Sequence, residues 1–325
     1  MKQIKKRLLA LLLCLLFLSG CVAQPPSALV RPQPEDQHLI SADTGGLSPN
    51  TLTAALYFRY GATNYLVPEE RSIQVQRDES PERALVQALL DGPALGGAQL
   101  TALFPPGTEL LSAASQGETL FITFNEGLMN RYADEGADPG AGPGRAESAL
   151  RRQLCLDALA ATLTEAGLCS QVQVMVYRGA DQTSPLRLQA GFLDRSNDET
   201  VLPPLTRNES SLLTAHNTAR LLLSAWQSQD WAVLYDLAAR GSGASARPAE
   251  RTAVEAFSEG RALTAFSLTP GSVSLDGQTA VICADLTLRG DSADKMIAAY
   301  PLRLFREGGL WKMAYEPLTR MMNPD

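Results

Sequence analysis

"SPERALVQALLDGP", residues 80–93, decides the fold of this chain, because it reads as a helix almost letter by letter. Ser80 offers a side-chain oxygen at the N-cap, and Pro81 takes the first helical position, where no N–H is needed. Leu85, Val86, Leu89 and Leu90 form one apolar stripe, and Gly92-Pro93 stops the helix. Upstream, Leu52, Ala54, Leu56, Phe58 and Tyr60 alternate with Thr53, Ala55, Tyr57 and Arg59, the period of a strand with one face on a core. Downstream, "LLSAASQGETLFITF" (110–124) reads as a hairpin turning at Gln116-Gly117, with Leu120, Ile122 and Phe124 inward.

The stretch "ADEGADPGAGPG" (133–144) follows as an insertion. Its acids lack the regular spacing of a calcium loop and read as a solvated surface. A second helix is expected from Glu147 to Ala166, ended by Gly167. Val172, Val174 and Val176 then alternate with Gln171 and Gln173, and "PLRLQAGF" (185–192) is expected as a closing strand. Strands and helices mixed in this way give an α+β class.

The succession "LYFRYGATNYLVPEERSI", "ALVQALLDGP", "FPPGTELLS" and "LFITFNEGL" resembles the GerMN domain of sporulation and germination lipoproteins. The matching marks are Tyr57-Phe58, Leu66-Val67-Pro68, Arg71, the Leu89 to Pro93 helix end, Pro106-Gly107-Thr108 and Phe124. The resemblance spans residues 51–195 and implies extracytoplasmic assembly or binding work, with no catalytic residue. Pro68 and Pro106-Gly107 read as turn formers, and Arg71 as a surface or capping charge. No second copy of the pattern follows.

After the break "RSNDETVLPPLTRNESS" (195–211), Leu212, Ala215, Ala219, Leu222, Leu223 and Trp226 fall on one helical face. Trp231, Leu234 and Leu237 continue on a second short helix. A third helix and four strands follow, "LTAFSLT", "TAVICADLTLRG", "IAAYPLRLFREGG" and "LWKMAYEPL". Helices first and a meander afterwards suggest a sheet curled round helices, similar to the nuclear transport factor 2-like cone.

Some members of that superfamily carry a polar group deep in the cone, so a small-molecule-binding or weakly catalytic cone is the alternative reading. His216 projects toward the apolar side of its helix and would serve there as a base, or as a neutral core histidine. Asp285 would be its acid partner, and Trp226 with Trp231 and Tyr235 would line an aromatic pocket or pack against the sheet. No nucleophile elbow, phosphate loop or His/Cys metal set is written in the chain, so the expectation is no enzyme, no metal and no cofactor.

The N-terminus supplies the address. Lys2, Lys5, Lys6 and Arg7 precede an apolar run from Leu8 to Leu18, well short of the roughly 20 residues of a spanning helix. Leu18-Ser19-Gly20-Cys21 resembles the bacterial lipobox, which makes residues 1–20 a signal peptide and Cys21 the acylated first residue. Several acyl chains, palmitate among them, would hold the protein durably on the extracytoplasmic face of the cell membrane. Residues 21–50 carry prolines 25, 26, 32, 34 and 49 and read as a disordered tether. Removing residues 1–20 lowers Lys+Arg from 28 to 24 against 35 Asp+Glu, so the formal charge moves from −7 to −11. Such an acidic surface disfavours nucleic acid. Cys155, Cys169 and Cys283 are expected as buried thiols.

The organisation expected is thus a signal peptide (1–20), a tether (21–50), a GerMN-like α+β domain (51–195), a linker (196–209) and a cone-like α+β domain (210–325). The expected function is support of a sporulation or germination assembly at the membrane, through protein partners and the lipid on Cys21.

Overall fold

A computed structural model describes residues 50–94, 99–135, 143–177, 184–242, 246–290 and 293–324. The expected signal peptide (1–20), Cys21, the expected tether up to residue 49 with His38, and Asp138 lie outside the described residues, while Asn50, expected as the end of the tether, already begins a strand.

The first part begins with β1 (Asn50–Tyr60), which pairs antiparallel with β2 (Leu66–Val75) and, at Arg59 and Tyr60, with β3 (Leu100–Thr101). Helix α1 (Pro81–Leu90) has the expected cap, Ser80 Oγ accepting from the Arg83 amide at 3.3 Å. A second sheet runs β4 (Leu110–Gln116), β5 (Thr119–Phe124), β6 (Gln171–Val176) and β7 (Leu186–Arg187). Strands β5 and β6 are parallel, because the crossover between them is the long helix α2 (Pro143–Glu165). One core holds Leu56, Phe58, Leu85, Leu89, Leu120, Ile122, Phe124, Leu159, Leu163 and Val174 together.

Several expectations change in detail. Strand β1 is buried on both faces from Ala54 to Tyr60, because Cys155, Ala158 and Ala161 of α2 cover its Ala55 and Tyr57 side. Even Arg59 is 4% exposed, paired with Glu147 and donating Nε to Thr63 O at 2.7 Å. The hairpin register sets Gln116 opposite Thr119, so the turn residues are Gly117-Glu118, one position later than expected. Helix α2 begins at Pro143 rather than Glu147. The closing strand shrinks to two residues, and Gly191–Asp194 forms the short helix α3 instead. Pro68 lies within β2 opposite Tyr57, not in a turn.

The second part contains α4 (Ala215–Ser228), α5 (Trp231–Leu237) and α6 (Glu250–Ser258), then β8 (Leu263–Leu268), β9 (Ser272–Val273), β10 (Thr279–Leu288), β11 (Lys295–Glu307) and β12 (Leu310–Met313). Antiparallel in the order β12-β11-β10-β8, these strands make a curled half-barrel sheet around the helices. The last hairpin turns on Gly308-Gly309, both at positive φ (61° and 81°), a backbone that glycine adopts without steric cost. Leu212 precedes α4, since Thr214 Oγ1 caps that helix from the Asn217 amide at 3.2 Å. The expected final strand stops at Met313, and the chain closes with an amphipathic helix, α7 (Tyr315–Met322). Its Leu318, Met321 and Met322 join Trp226, Phe257 and Trp311 in the interior of the sheet.

The segment 196–209 lies pinned on the first part. Leu205 exchanges both backbone hydrogen bonds with Val172, at 2.7 and 2.8 Å, and Asn208 Nδ2 donates to Asp157 Oδ2 at 3.1 Å. Arg207 pairs with Glu165 and with Glu209 at 2.6 Å, and donates Nη2 to the Tyr57 hydroxyl at 3.2 Å. Leu213 then donates to Leu66 O at 2.8 Å, and Tyr60, Val67 and Leu213 share the core of the second part.

Candidate functional site

The sequence marks "FPPG" and "FNEG" meet at one place. Strand β5 ends at Phe124, and Asn125 ties the two loops together. Its Oδ1 accepts from the Glu109 amide (2.9 Å) and the Gly127 amide (3.1 Å), while Nδ2 donates to Gly107 O (3.0 Å). Asn130 Nδ2 adds a bond to Pro106 O at 2.9 Å, and Thr108 Oγ1 closes its own turn on Pro105 O at 2.7 Å. The loops approach so closely that a Cβ on Gly127 would stand 1.9 Å from Gly107 O. A glycine is therefore required at 127 for contact, and an amide side chain at 125 satisfies groups that a hairpin border leaves unpaired.

Beside this knot opens a polar cleft of about 850 Å³, bounded by Gly107, Asn125, Asn130, Gly191, Asp198 and Glu199 among others. Its far wall is a chain of short-range turns. Asp194 Oδ1 accepts from the Ser196 amide (3.0 Å), Ser196 Oγ from the Asp198 amide (3.3 Å) and Asp198 Oδ1 from the Thr200 amide (2.8 Å). Hydrogen bonds from Ser196 and Thr200 hold the Asp194 and Asp198 carboxyls below the ordinary carboxylate range. With Glu126 and Glu199 also at the rim, the cleft is acidic and suited to donors or basic groups rather than to anions.

Buried charge stiffens the wall from behind. Arg152 is 1% exposed and pairs with Glu135 at 2.9 Å, while donating to Asn130 O at 3.2 Å. Burial pushes the Glu135 carboxyl up, but the bonds from Arg152 and the Tyr132 amide outweigh it and leave it below its ordinary range. Asp134 pairs with Arg151, whose guanidinium sits 3.8 Å over the Tyr132 ring. The described acids of the 133–144 insertion are therefore spent on arginines, and among the described residues no three His, Cys, Asp or Glu converge on a metal position.

His216, Trp226 and Asp285 do not come together. Trp226 is 1% exposed, packed in the core with its indole Nε1 donating to Arg261 O at 3.0 Å. Asp285 stands on the outward face of β10, between the inward Ala284 and Leu286. It accepts from Ser267 Oγ at 3.2 Å and from the Ala299 amide at 2.8 Å. His216 is half-buried on α4, its Nε2 3.3 Å from Arg220 Nη2. Trp231 and Tyr235 pack against the core, Trp231 with its ring centroid 6.4 Å from that of Phe257.

Arg71 caps a helix: Nη1 and Nη2 donate to Ala88 O (3.3 Å) and Gly92 O (3.0 Å) at the end of α1, and Nη2 pairs with Glu69 at 2.6 Å. The three described cysteines are free. Cys155 is buried, and burial pushes its thiol far up. Cys169 and Cys283 are half-buried rather than buried, and burial raises Cys169 to about 11. Among the described residues no helix is long and apolar enough to cross a membrane. Sequence reasoning does not single out Asn125 and Gly127 as site residues. The signal available is an Asn placed directly before a Glu-Gly pair at a strand end.

Residues 55–177 match the Germane family, described as sporulation and spore germination. Among solved structures, the chain is similar to the tandem GerMN domains of the sporulation protein GerM from Bacillus subtilis. That match has 16% identity and a TM-score of 0.33, over 48% of this chain and 46% of that one. The chain thus spans just under half the length of that structure. It is also similar to a Clostridium perfringens protein assigned as a lipoprotein and known from a 2.5 Å crystal structure. The identity there is 20% and the TM-score 0.28, over 48% of this chain and 88% of that one. No curated protein matches.

Proposed function

We propose that this chain is a non-enzymatic lipoprotein, acylated at Cys21 and held on the extracytoplasmic face of the cell membrane. There its GerMN-type domain supports a sporulation or germination assembly through protein partners, and its C-terminal part is a cone of the nuclear transport factor 2-like type. The observation that carries the reading is the match of residues 55–177 to the Germane family, which is described as sporulation and spore germination. Two structural features support it. Two of the marks shared with that domain serve architecture, Gly107 accepting from Asn125 where two loops join and Arg71 capping a helix. The interior of the half-barrel is occupied by Trp226, Phe257, Met321 and Met322, each at most 1% exposed, which favours packing over a ligand.

The mechanism is confinement. A tether of about 30 residues has an r.m.s. reach of roughly 30 Å, so lipid attachment keeps the domains in a thin layer and raises their effective concentration near partners. Deleting the gene from its own host tests the role. The expected result is a lower yield of heat-resistant spores or slower germination, restored by the full chain. Normal sporulation and germination in the deletion strain would overturn it.

A further inference from the structure

Strand borders attract other strands, and most borders in this molecule are shielded. Strand β2 carries Pro68 and the charges Glu69, Glu70 and Arg71. Strand β7 has two residues. Strand β12 is bridged by Ala238 and receives the Ala239 amide on Met313 O at 2.8 Å. Strand β8 has Thr264 O bonded by Gln227 Nε2 at 2.7 Å, and its Phe266 and Leu268 are drawn against the core rather than left exposed.

Strand β4 is different. It borders its sheet, with β5 on its inner side. Arg83 covers only its start, donating to Leu111 O at 3.2 Å. From Ser112 to Gln116 no backbone partner other than β5 is found among the described residues. Ser112, Ala114, Ser115 and Gln116 are exposed, and the strand has no charge and no proline.

We propose that this border is a self-association surface, on which a second copy of the chain adds its own β4 antiparallel. A two-fold axis normal to the sheet sets outward residues opposite outward residues, and Ser112, Ala114 and Gln116 share the outward face opposite Thr123, Phe121 and Thr119 of β5. All three are uncharged and small or flexible, so no like charges meet across the axis. Antiparallel addition also brings the start of one β4, where exposed Arg83 lies, to the end of the other, where exposed Glu118 lies. That opposite-charge contact occurs twice by symmetry. A ribbon this short covers far less than the ~800 Å² per partner of a stable interface, so association belongs to copies crowded on a surface. The inference deepens the proposed assembly role and rests on it for that crowding.

Two tagged copies of the full chain, co-expressed and crosslinked in intact cells, test the pairing. Ser112→Lys with Ala114→Lys in both copies, or Glu at both positions in both copies, is expected to lower mutual capture about tenfold or more. Mixing the lysine copy with the glutamate copy is expected to restore it. Equal capture in every combination, or a mixture that stays separate while all variants melt like the parent, overturns the proposal. Amide exchange at Ser112–Gln116 in the unsubstituted chain, slowed when the chain is crowded on a vesicle surface, reads the same contact without mutation. Fractionation of the same cells keeps the two ideas apart. If the chain is absent from membranes the anchoring reading fails, and the same charge variants of the purified chain, crowded on vesicles through a terminal tag and crosslinked there, still decide the pairing.

Discussion

Asn125 shows how much of a recognisable motif is carried by one side chain. It makes three hydrogen bonds to backbone groups of two loops, and with each worth about 1 kcal/mol, Asn125→Ala is expected to cost about 3 kcal/mol. Gly127→Ala should cost about 2 kcal/mol or more, since the added Cβ meets backbone and not a yielding side chain. Urea unfolding of both variants measures these losses, and values within about 0.5 kcal/mol of the parent, the scatter of neutral surface changes, would contradict them. Glu135 gives a pH dependence. Its folded-state proton affinity is depressed, so its contribution is complete above the unfolded value and is lost as pH falls through the lower folded one. Glu135→Ala would leave Arg152 buried without its partner, at a cost of about 3 kcal/mol at neutral pH that shrinks in acid. Melting at a series of pH values checks the convergence of the two proteins.

At the scale of elements, helices with caps and stripes are the most legible. Ser80, Pro81 and the Leu85–Leu89 stripe specify α1 locally, and Arg71 adds a cap at its end without moving its bounds. Strand β1 is half legible: its alternation is real, but burial of its second face depends on α2, nearly a hundred residues away. Helix α7 escapes a sequence reading because "LWKM" reads as a strand and runs without a break into "AYEPLTRMM", whose Pro317 sits in the first turn, where proline is tolerated. The cleft is illegible for a similar reason, since it joins residues near 107, 125 and 198. Segment 196–209 looks like a linker by composition, yet Arg207, Asn208 and Leu205 fix it to α2, β1 and β6. Arg207→Ala is expected to cost about 1–2 kcal/mol and to speed amide exchange from Val201 to Leu213 several-fold. Unchanged exchange there would show that backbone pairing alone holds the segment.

For the whole molecule, the surface is acidic and the cores are filled by the chain's own side chains, with Trp226 and Phe257 at the centre of the half-barrel. On the proposed reading, the work of such a body depends on where it is held and what it meets, and both follow from acylation of Cys21. Membrane fractionation of the full chain beside Cys21→Ala, in its own host and after a high-salt wash, tests that dependence directly. The parent is expected in the membrane pellet and the variant in the soluble fraction. Both proteins in the same fraction would contradict the account.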